Sequence, residues 1–171
     1  SVYGSHAWHA FPAKFPPQLP RLFIENLTGP GDIVLDPMMG SGTTLLEAVS
    51  LKRRALGCDI DPLALRMGAV KLLPVAVQEA SALGNRLLEE AAKRLSLRAH
   101  EIDRWLERRF DPPSRAFVEY WFHRDTQKEL AALMMGIEEM DDGALRYFFG
   151  LVFSAIIITK SGGVSLARDL A

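Results

Sequence analysis

An α/β fold that opens with a partial parallel sheet and continues into an all-helical lobe is predicted by three features of the 171-residue chain. The stretch "VLDPMMGSGTTLLEA", Val34 to Ala48, runs from an apolar segment through a glycine-rich turn into helical spacing. A second short apolar segment, "RALGCDI", follows at Arg54 to Ile60. From about residue 74 to residue 160 the apolar positions recur only at helical intervals, so that region predicts helices.

Each element follows in order. Leu19, Leu22, Phe23 and Leu27 share the spacing of one helical face, which predicts an amphipathic helix ended by Gly29, Pro30 and Gly31. "DIVLD", Asp32 to Asp36, has the β-branched, apolar character of a buried parallel strand, and Arg54 to Ile60 reads as its neighbour. The helix between them begins near Thr43, with Thr44 and Glu47 in capping-box spacing. Asp61 followed by Pro62 is an N-cap with a first-turn proline, so another helix starts there. Helix, strand, helix, strand, helix is the opening of a doubly wound sheet.

The second region predicts long helices. Leu83, Leu87, Leu88, Ala92 and Leu95 fall on one face, as do Leu130, Leu133, Met134, Ile137 and Met140 farther on. Leu145 to Ile158 is apolar on nearly every side and is expected at the centre of the lobe. Trp105, Tyr120, Trp121 and Phe122 read as core aromatics, and Cys58 as a small buried residue.

Composition narrows the function classes. The longest apolar run, Tyr147 to Thr159, falls short of the ~20 residues that span a bilayer. A single cysteine excludes an internal disulfide framework and a cysteine-based zinc site. His6 and His9 lack the further ligands a metal needs, so no metal is expected. A cytoplasmic location is the expectation. Net charge is −1 and gives no bulk attraction to nucleic acid. Residues 86–115 carry 8 Lys or Arg against 6 acids, and residues 119–142 carry 2 against 7. Both read as solvated helix faces.

The glycine turn is the informative piece. A phosphate-binding loop requires a lysine after its last glycine, and Gly42 is followed by Thr43 and Thr44. A dinucleotide fingerprint requires a small residue where Leu45 stands. What remains is a backbone that approaches its ligand closely at Gly40 and Gly42 without a pyrophosphate to hold. Asp36 at one strand end can take a cationic group, and Asp59, twenty-three residues on, can accept ribose hydroxyls. A nucleoside carrying an amino acid meets both demands, and that ligand is S-adenosylmethionine.

Taken together, "FPAKFPPQLP", "LDPMMGSGTT" and "GCDIDP" resemble the DNA amino-methyltransferases, which methylate adenine N6 or cytosine N4. The resemblance implies a Rossmann-like methyltransferase start over residues 1–73; the apolar spacing gives an all-helical insertion or lobe over 74–160, and Gly162 and Gly163 open a loop over 161–171 that is expected to lead to a remainder beyond this chain. The resemblance also implies that Asp36, Pro37, Gly40, Ser41, Gly42 and Thr43 surround the methionine part of the cofactor and that Asp59 binds the ribose. Phe11, Ala13 and Lys14 match the leading segment, which in the family closes over the methionine end. DNA is the implied partner, with no membrane.

The family's catalytic motif is Asp, Asn or Ser, then two prolines, then an aromatic at a strand end, where it holds a flipped base for attack on the sulfonium methyl. "FDPPSR", Phe110 to Arg115, has Asp111, Pro112 and Pro113 but puts Ser114 in the aromatic place, and it follows a charged helix. It therefore reads as a helix boundary. No catalytic residue is assigned, and the chain is expected to be inactive alone and to self-associate through uncovered apolar faces. Two further readings remain: an RNA methyltransferase with the same cofactor, and a non-catalytic helical interaction module on a relic cofactor fold.

Overall fold

The computed structural model describes His6 and residues 14–157. Phe11, Ala13 and the expected terminal loop lie outside the described residues. The chain divides into two units, Ser1–Pro74 and Val75–Ala171.

The first unit contains α1 (Gln18–Leu27), β1 (Ile33–Asp36), α2 (Thr43–Ser50), β2 (Arg54–Gly57) and α3 (Pro62–Leu72). The two strands pair in parallel, Ile33 opposite Arg54 and Asp36 opposite Gly57. A parallel pair requires a crossover, and α2 provides it. This is a partial α/β arrangement, as the alternating pattern predicts. Its core is Ile24, Met39, Leu45, Ala48, Ala64, Met67 and Val70. Arg53 ties the strand entry to α1: its Nε donates to the Thr28 hydroxyl and its Nη2 to the Thr28 carbonyl, which helps satisfy the helix's C-terminal end.

Several local expectations change. α1 exists, but Leu19, Leu22, Phe23 and Leu27 are exposed and Ile24 is the residue it buries. Periodicity identifies residues that share a face; it does not say which face meets a neighbour. Here α1 lies on α2 through Ile24 and through Arg21, which reaches Glu47. The Thr44–Glu47 capping box does not form either. Gly42, in the left-handed region, is the N-cap of α2 without a side-chain hydrogen bond, and Glu47 is buried instead. Cys58 is exposed. The strand's two-residue alternation continues past Gly57 and puts Cys58 on the open side with Leu56 and Ile60.

Asp61 and Pro62 behave as their residue types demand. The Asp61 carboxylate accepts from the Leu63 amide at 2.8 Å, and Pro62 takes the first helical position.

The second unit is helical throughout its described residues: α4 (Val77–Leu97), α5 (Ala99–Arg109), α6 (Pro112–Trp121), α7 (Arg124–Glu138) and α8 (Gly143–Ile157). No helix among the described residues is long and apolar enough to cross a membrane. α7 is the central helix, touching α4, α5 and α8. That corrects the expectation for Leu145 to Ile158. α8 buries Leu145, Phe149 and Leu151 but leaves Tyr147, Val152 and Ile156 exposed, because an apolar composition does not by itself supply neighbours on every side. On α4, Leu88 and Ala92 are exposed, and the buried stripe runs through Ala91 and Arg94. Trp105 packs on the core formed by Ile102, Leu106, Ala131 and Ala132, whereas Tyr120 is exposed.

The Asp111–Pro112–Pro113 step starts α6, as a helix boundary should. Asp111 is its N-cap and accepts from the Ser114 amide at 3.0 Å, and Pro112 opens the helix. No strand leads into it, so the geometry required of a base-holding motif is missing there.

Close packing in the first unit depends on Gly42. Its φ is +76°, and a Cβ built there would lie 3.0 Å from the Gly68 Cα, a backbone atom of α3 that cannot rotate away. Gly143 has an ordinary φ and nothing within 4 Å of its notional Cβ. Gly42→Ala is therefore expected to lower stability by about 2 kcal/mol, from left-handed strain plus displacement of α3. Gly143→Ala should change it by less than about 0.5 kcal/mol. Urea unfolding of the two variants checks the contrast, and equal midpoints would rule out this account of the turn.

Candidate cofactor site

The turn from Asp36 to Gly42 connects β1 to α2, and the backbone amides of Met38, Met39, Gly40 and Gly42 each have a hydrogen-bond acceptor. Asp36 Oδ1 accepts from the Met38 amide at 3.1 Å, bending the chain as it leaves the strand. The Met39 amide donates to the Cys58 carbonyl at 3.0 Å, stitching the turn to the end of β2. The Gly40 amide donates to Asp59 Oδ2 at 2.8 Å. The Gly42 amide closes back on the Met39 carbonyl at 2.8 Å. Gly40 and Gly42 have φ of +50° and +76°, values that a residue with a Cβ rarely adopts.

Asp59 is thus an organiser of the turn as well as an acid at a strand end. Its other oxygen, Oδ1, accepts from the Asp61 amide at 2.9 Å. The amides of Asp61 and Gly40 together hold its carboxyl below the ordinary aspartate range, so it is ionised throughout the neutral region. Each carboxylate oxygen keeps a second lone-pair site for an incoming hydroxyl.

The space that a third glycine creates in a dinucleotide turn is made differently here. Leu45 and Met39 are both buried, and they fit because the facing positions lack side chains. A Cβ at Gly57 on β2 would meet the Met39 sulfur at 2.5 Å and Leu45 at 2.7 Å; one at Gly68 on α3 would meet Met39 Cε at 2.9 Å. The small residues sit on the partners of α2 rather than in it.

Of the sequence-derived site residues, the structure brings Asp36, Pro37, Gly40, Ser41, Gly42, Thr43 and Asp59 together at the carboxyl ends of the two strands. Ser41 and Thr43 are buried, with their hydroxyl oxygens 3.4 Å apart. Lys14 donates from Nζ to the His6 carbonyl at 3.2 Å. The buried His6 ring pairs through Nε2 with Glu47 Oε1 at 2.8 Å, and Glu47 Oε2 lies 3.3 Å from Arg21.

Sequence reasoning missed Lys71. It is 5% exposed, and its Nζ donates to the Ser41 carbonyl at 2.5 Å. The signal was available: Ala64, Met67, Gly68 and Lys71 lie on one stripe of α3, so a lysine occupies a position of the buried face. His6, Glu47, Gly57 and Gly68 were also missed as structural partners of the turn and its helix.

A two-stranded parallel start whose glycine turn meets an acid at the neighbouring strand end defines a partial α/β unit. A model of the DNA methylase family matches residues 1–70. Among similar proteins is the type II methyltransferase M.MvaI of Kocuria varians, 28% identical over 158 residues, which cover 90% of this chain and 34% of the relative. The type II methyltransferase M.MjaII of Methanocaldococcus jannaschii is 38% identical over 74 residues, 43% of this chain and 14% of the relative. The solved PvuII DNA methyltransferase (cytosine-N4-specific) aligns at 31% identity with a TM-score of 0.40, covering 50% of this chain and 33% of that one. The chain therefore spans about a third or less of the length of these proteins.

Removing the Asp59 carboxylate leaves two backbone amides without their acceptor. In Asp59→Ala the Gly40 and Asp61 amides should exchange with solvent about tenfold faster, on the scale of one charge-assisted hydrogen bond, while amides in the middle of α2 keep their rates. Residue-resolved hydrogen exchange by NMR reads this directly. Unchanged rates at both amides would mean that Asp59 does not organise the turn.

Proposed function

We propose that this chain supplies the cofactor-binding part of an S-adenosylmethionine-dependent methyltransferase that acts on the exocyclic amino group of adenine or cytosine in DNA. The observation that carries the reading is the bond from the Gly40 amide to the Asp59 carboxylate, which joins the glycine turn of β1 to the acidic end of β2. In open α/β sheets ligands bind outside the carboxyl ends of the strands, and both features lie there. A Rossmann-like extension of the two-stranded sheet is part of the same proposal.

The residues present fit the cofactor. Asp59 is ionised and directs acceptor capacity to a ribose, and the turn lacks the lysine that a polyphosphate demands. Asp36 offers a carboxylate for the ammonium of the amino-acid portion, while Gly40 and Gly42 permit close passage of the ligand. Phe11, Ala13 and Lys14 are proposed to close over that portion. When bound, the cofactor supplies an electrophilic methyl on sulfur, and the protein's contribution is to hold the acceptor nitrogen in line. Asp111 caps a helix, so the base-holding motif is assigned to residues other than those described.

The family model that matches residues 1–70 is that of a DNA methylase, which supports extending a DNA substrate to this chain. The exposed apolar residues of α1, with Ile33, Leu35 and Leu56 on the sheet, further support self-association of this chain. Light scattering is expected to show mass rising with concentration; a strictly monomeric species at high concentration would count against it.

Calorimetric titration with S-adenosylhomocysteine tests the cofactor assignment, with NAD and ATP as controls. The expected result is binding of the homocysteine compound alone, weakened at least about tenfold by Asp59→Ala through loss of hydrogen bonds to a charged acceptor. Binding of NAD in its place would sink the assignment.

A further inference from the structure

Lys71 is a cation held in an apolar helix face. α3 buries Ala64, Met67, Gly68 and Val70 beside it, and 95% of the residue is removed from solvent, 5% remaining exposed. A buried ammonium is costly unless it is hydrogen-bonded, and its bond among the described residues is to the Ser41 carbonyl, inside the glycine turn. A core position that tolerated any residue would hold an apolar one.

We propose, on the basis of the methyltransferase reading, that Lys71 is a positioning residue of the cofactor site: its ammonium fixes the Ser41 carbonyl and supplies positive field for the carboxylate of the cofactor's amino-acid portion. The two peptide groups involved are close neighbours. Asp59 holds the turn by the Gly40 amide, and Lys71 holds it by the Ser41 carbonyl, so the turn is gripped by opposite charges one residue apart. α2, which begins at Thr43, has no side-chain cap, and its first-turn dipoles add to the positive field.

The electrostatic surroundings agree. Charged groups on the neighbouring elements include Lys14 on the leading segment, Arg21 on α1, Asp36 at the end of β1, Glu47 on α2, and Asp59 and Asp61 after β2. Glu47 is engaged by His6 and Arg21, and Asp59 by two amides. Among the described residues Lys14 is the one whose charge acts on Lys71. Burial first, and Lys14 second, pull the Lys71 ammonium down to about 8. Two like charges brought together in a poorly solvated place favour an anion between them.

Stability and affinity then respond to pH with opposite signs. Below about 8 the folded chain keeps a proton on Lys71 against its preference, and between about 8 and the ordinary value of 10.5 the unfolded chain alone retains it. Raising pH through that window therefore stabilises the fold. The same rise removes the charge that attracts a carboxylate and weakens the ligand.

The test compares wild type, Lys71→Met and Lys71→Arg in calorimetric titrations with S-adenosylhomocysteine and with 5′-methylthioadenosine, the nucleoside half without the amino acid. Lys71→Met should weaken the first roughly tenfold, on the scale of one charge-assisted contact, and the second less than about twofold. Lys71→Arg should recover most of the loss. Between pH 7 and 9 wild type should lose affinity for S-adenosylhomocysteine more steeply than Lys71→Arg, whose charge persists; the ligand's own titration is common to both. Equal weakening of both ligands by Lys71→Met would reduce Lys71 to a structural residue, and no weakening would remove it from the site. Both results would overturn the proposal while leaving the cofactor reading intact. Wild-type protein that binds neither compound would overturn the reading and the proposal with it. Should Lys71→Met fail to melt cooperatively, the comparison of pH profiles between wild type and Lys71→Arg decides, and parallel profiles would overturn the proposal.

Discussion

The geometry of the first unit depends on how a seven-residue turn is held without side-chain bulk. Two glycines in the left-handed region leave the segment from Asp36 to Gly42 with little intrinsic preference for its shape, so the shape must be imposed by bonds to its backbone. Asp59 imposes it at the Gly40 amide, the Cys58 carbonyl at the Met39 amide, and Lys71 at the Ser41 carbonyl. These contacts come from the end of β2 and from α3. The turn is consequently defined only when the second strand is paired and the third helix is in place. The turn's shape thus rests on these bonds more than on the size of a core, since the two strands leave Ile33, Leu35 and Leu56 exposed.

Packing around the turn shows a second constraint. α2 must come close to both β2 and α3, and it carries Leu45 where a dinucleotide-type turn has a small residue. The clash is avoided by Gly57 and Gly68, one on each partner, which receive Leu45 and Met39. The volume relation is conserved while the residues are exchanged. Interiors of protein density tolerate such an exchange because what must be satisfied is the summed volume across facing positions, not the identity at any one of them.

Legibility in the sequence followed the range of the interaction. Local chemistry was readable: Asp61 with Pro62 and Asp111 with Pro112 specify helix starts within four residues, and both occur as their types demand. The alternation of strand and helix was also readable, since hydrophobic period and glycine punctuation act over ten residues or so. What could not be read was the partner of each face. The stripe Leu19, Leu22, Phe23 and Leu27 is amphipathic, yet the buried residue of α1 is Ile24, and the most apolar helix, α8, is not the central one. Glu47 illustrates the failure sharply. Three residues after Thr44 it satisfies a local capping rule, but a contact 41 residues away, to His6, takes the carboxylate instead. Long-range ion pairs leave no local trace.

The same reasoning explains why the site was legible only in half. Its acidic side consists of residues at strand ends, Asp36 and Asp59, whose positions are announced by the strands themselves. Its basic side consists of Lys71, inside a helix, and Lys14, in the leading segment, and only the fold brings them near each other. A lysine on the apolar stripe of α3 is nevertheless a physical anomaly that sequence alone exposes. Burying an ammonium is unfavourable enough that its presence at such a position implies an acceptor within reach, and the acceptor here is the carbonyl of the residue between the two glycines. Acid at the strand ends and base beneath the turn give the site a polarity along its length. In the proposed cofactor reading a zwitterionic amino acid joined to a nucleoside matches that polarity, with Lys71 toward its carboxylate, Asp36 toward its ammonium and Asp59 toward the ribose.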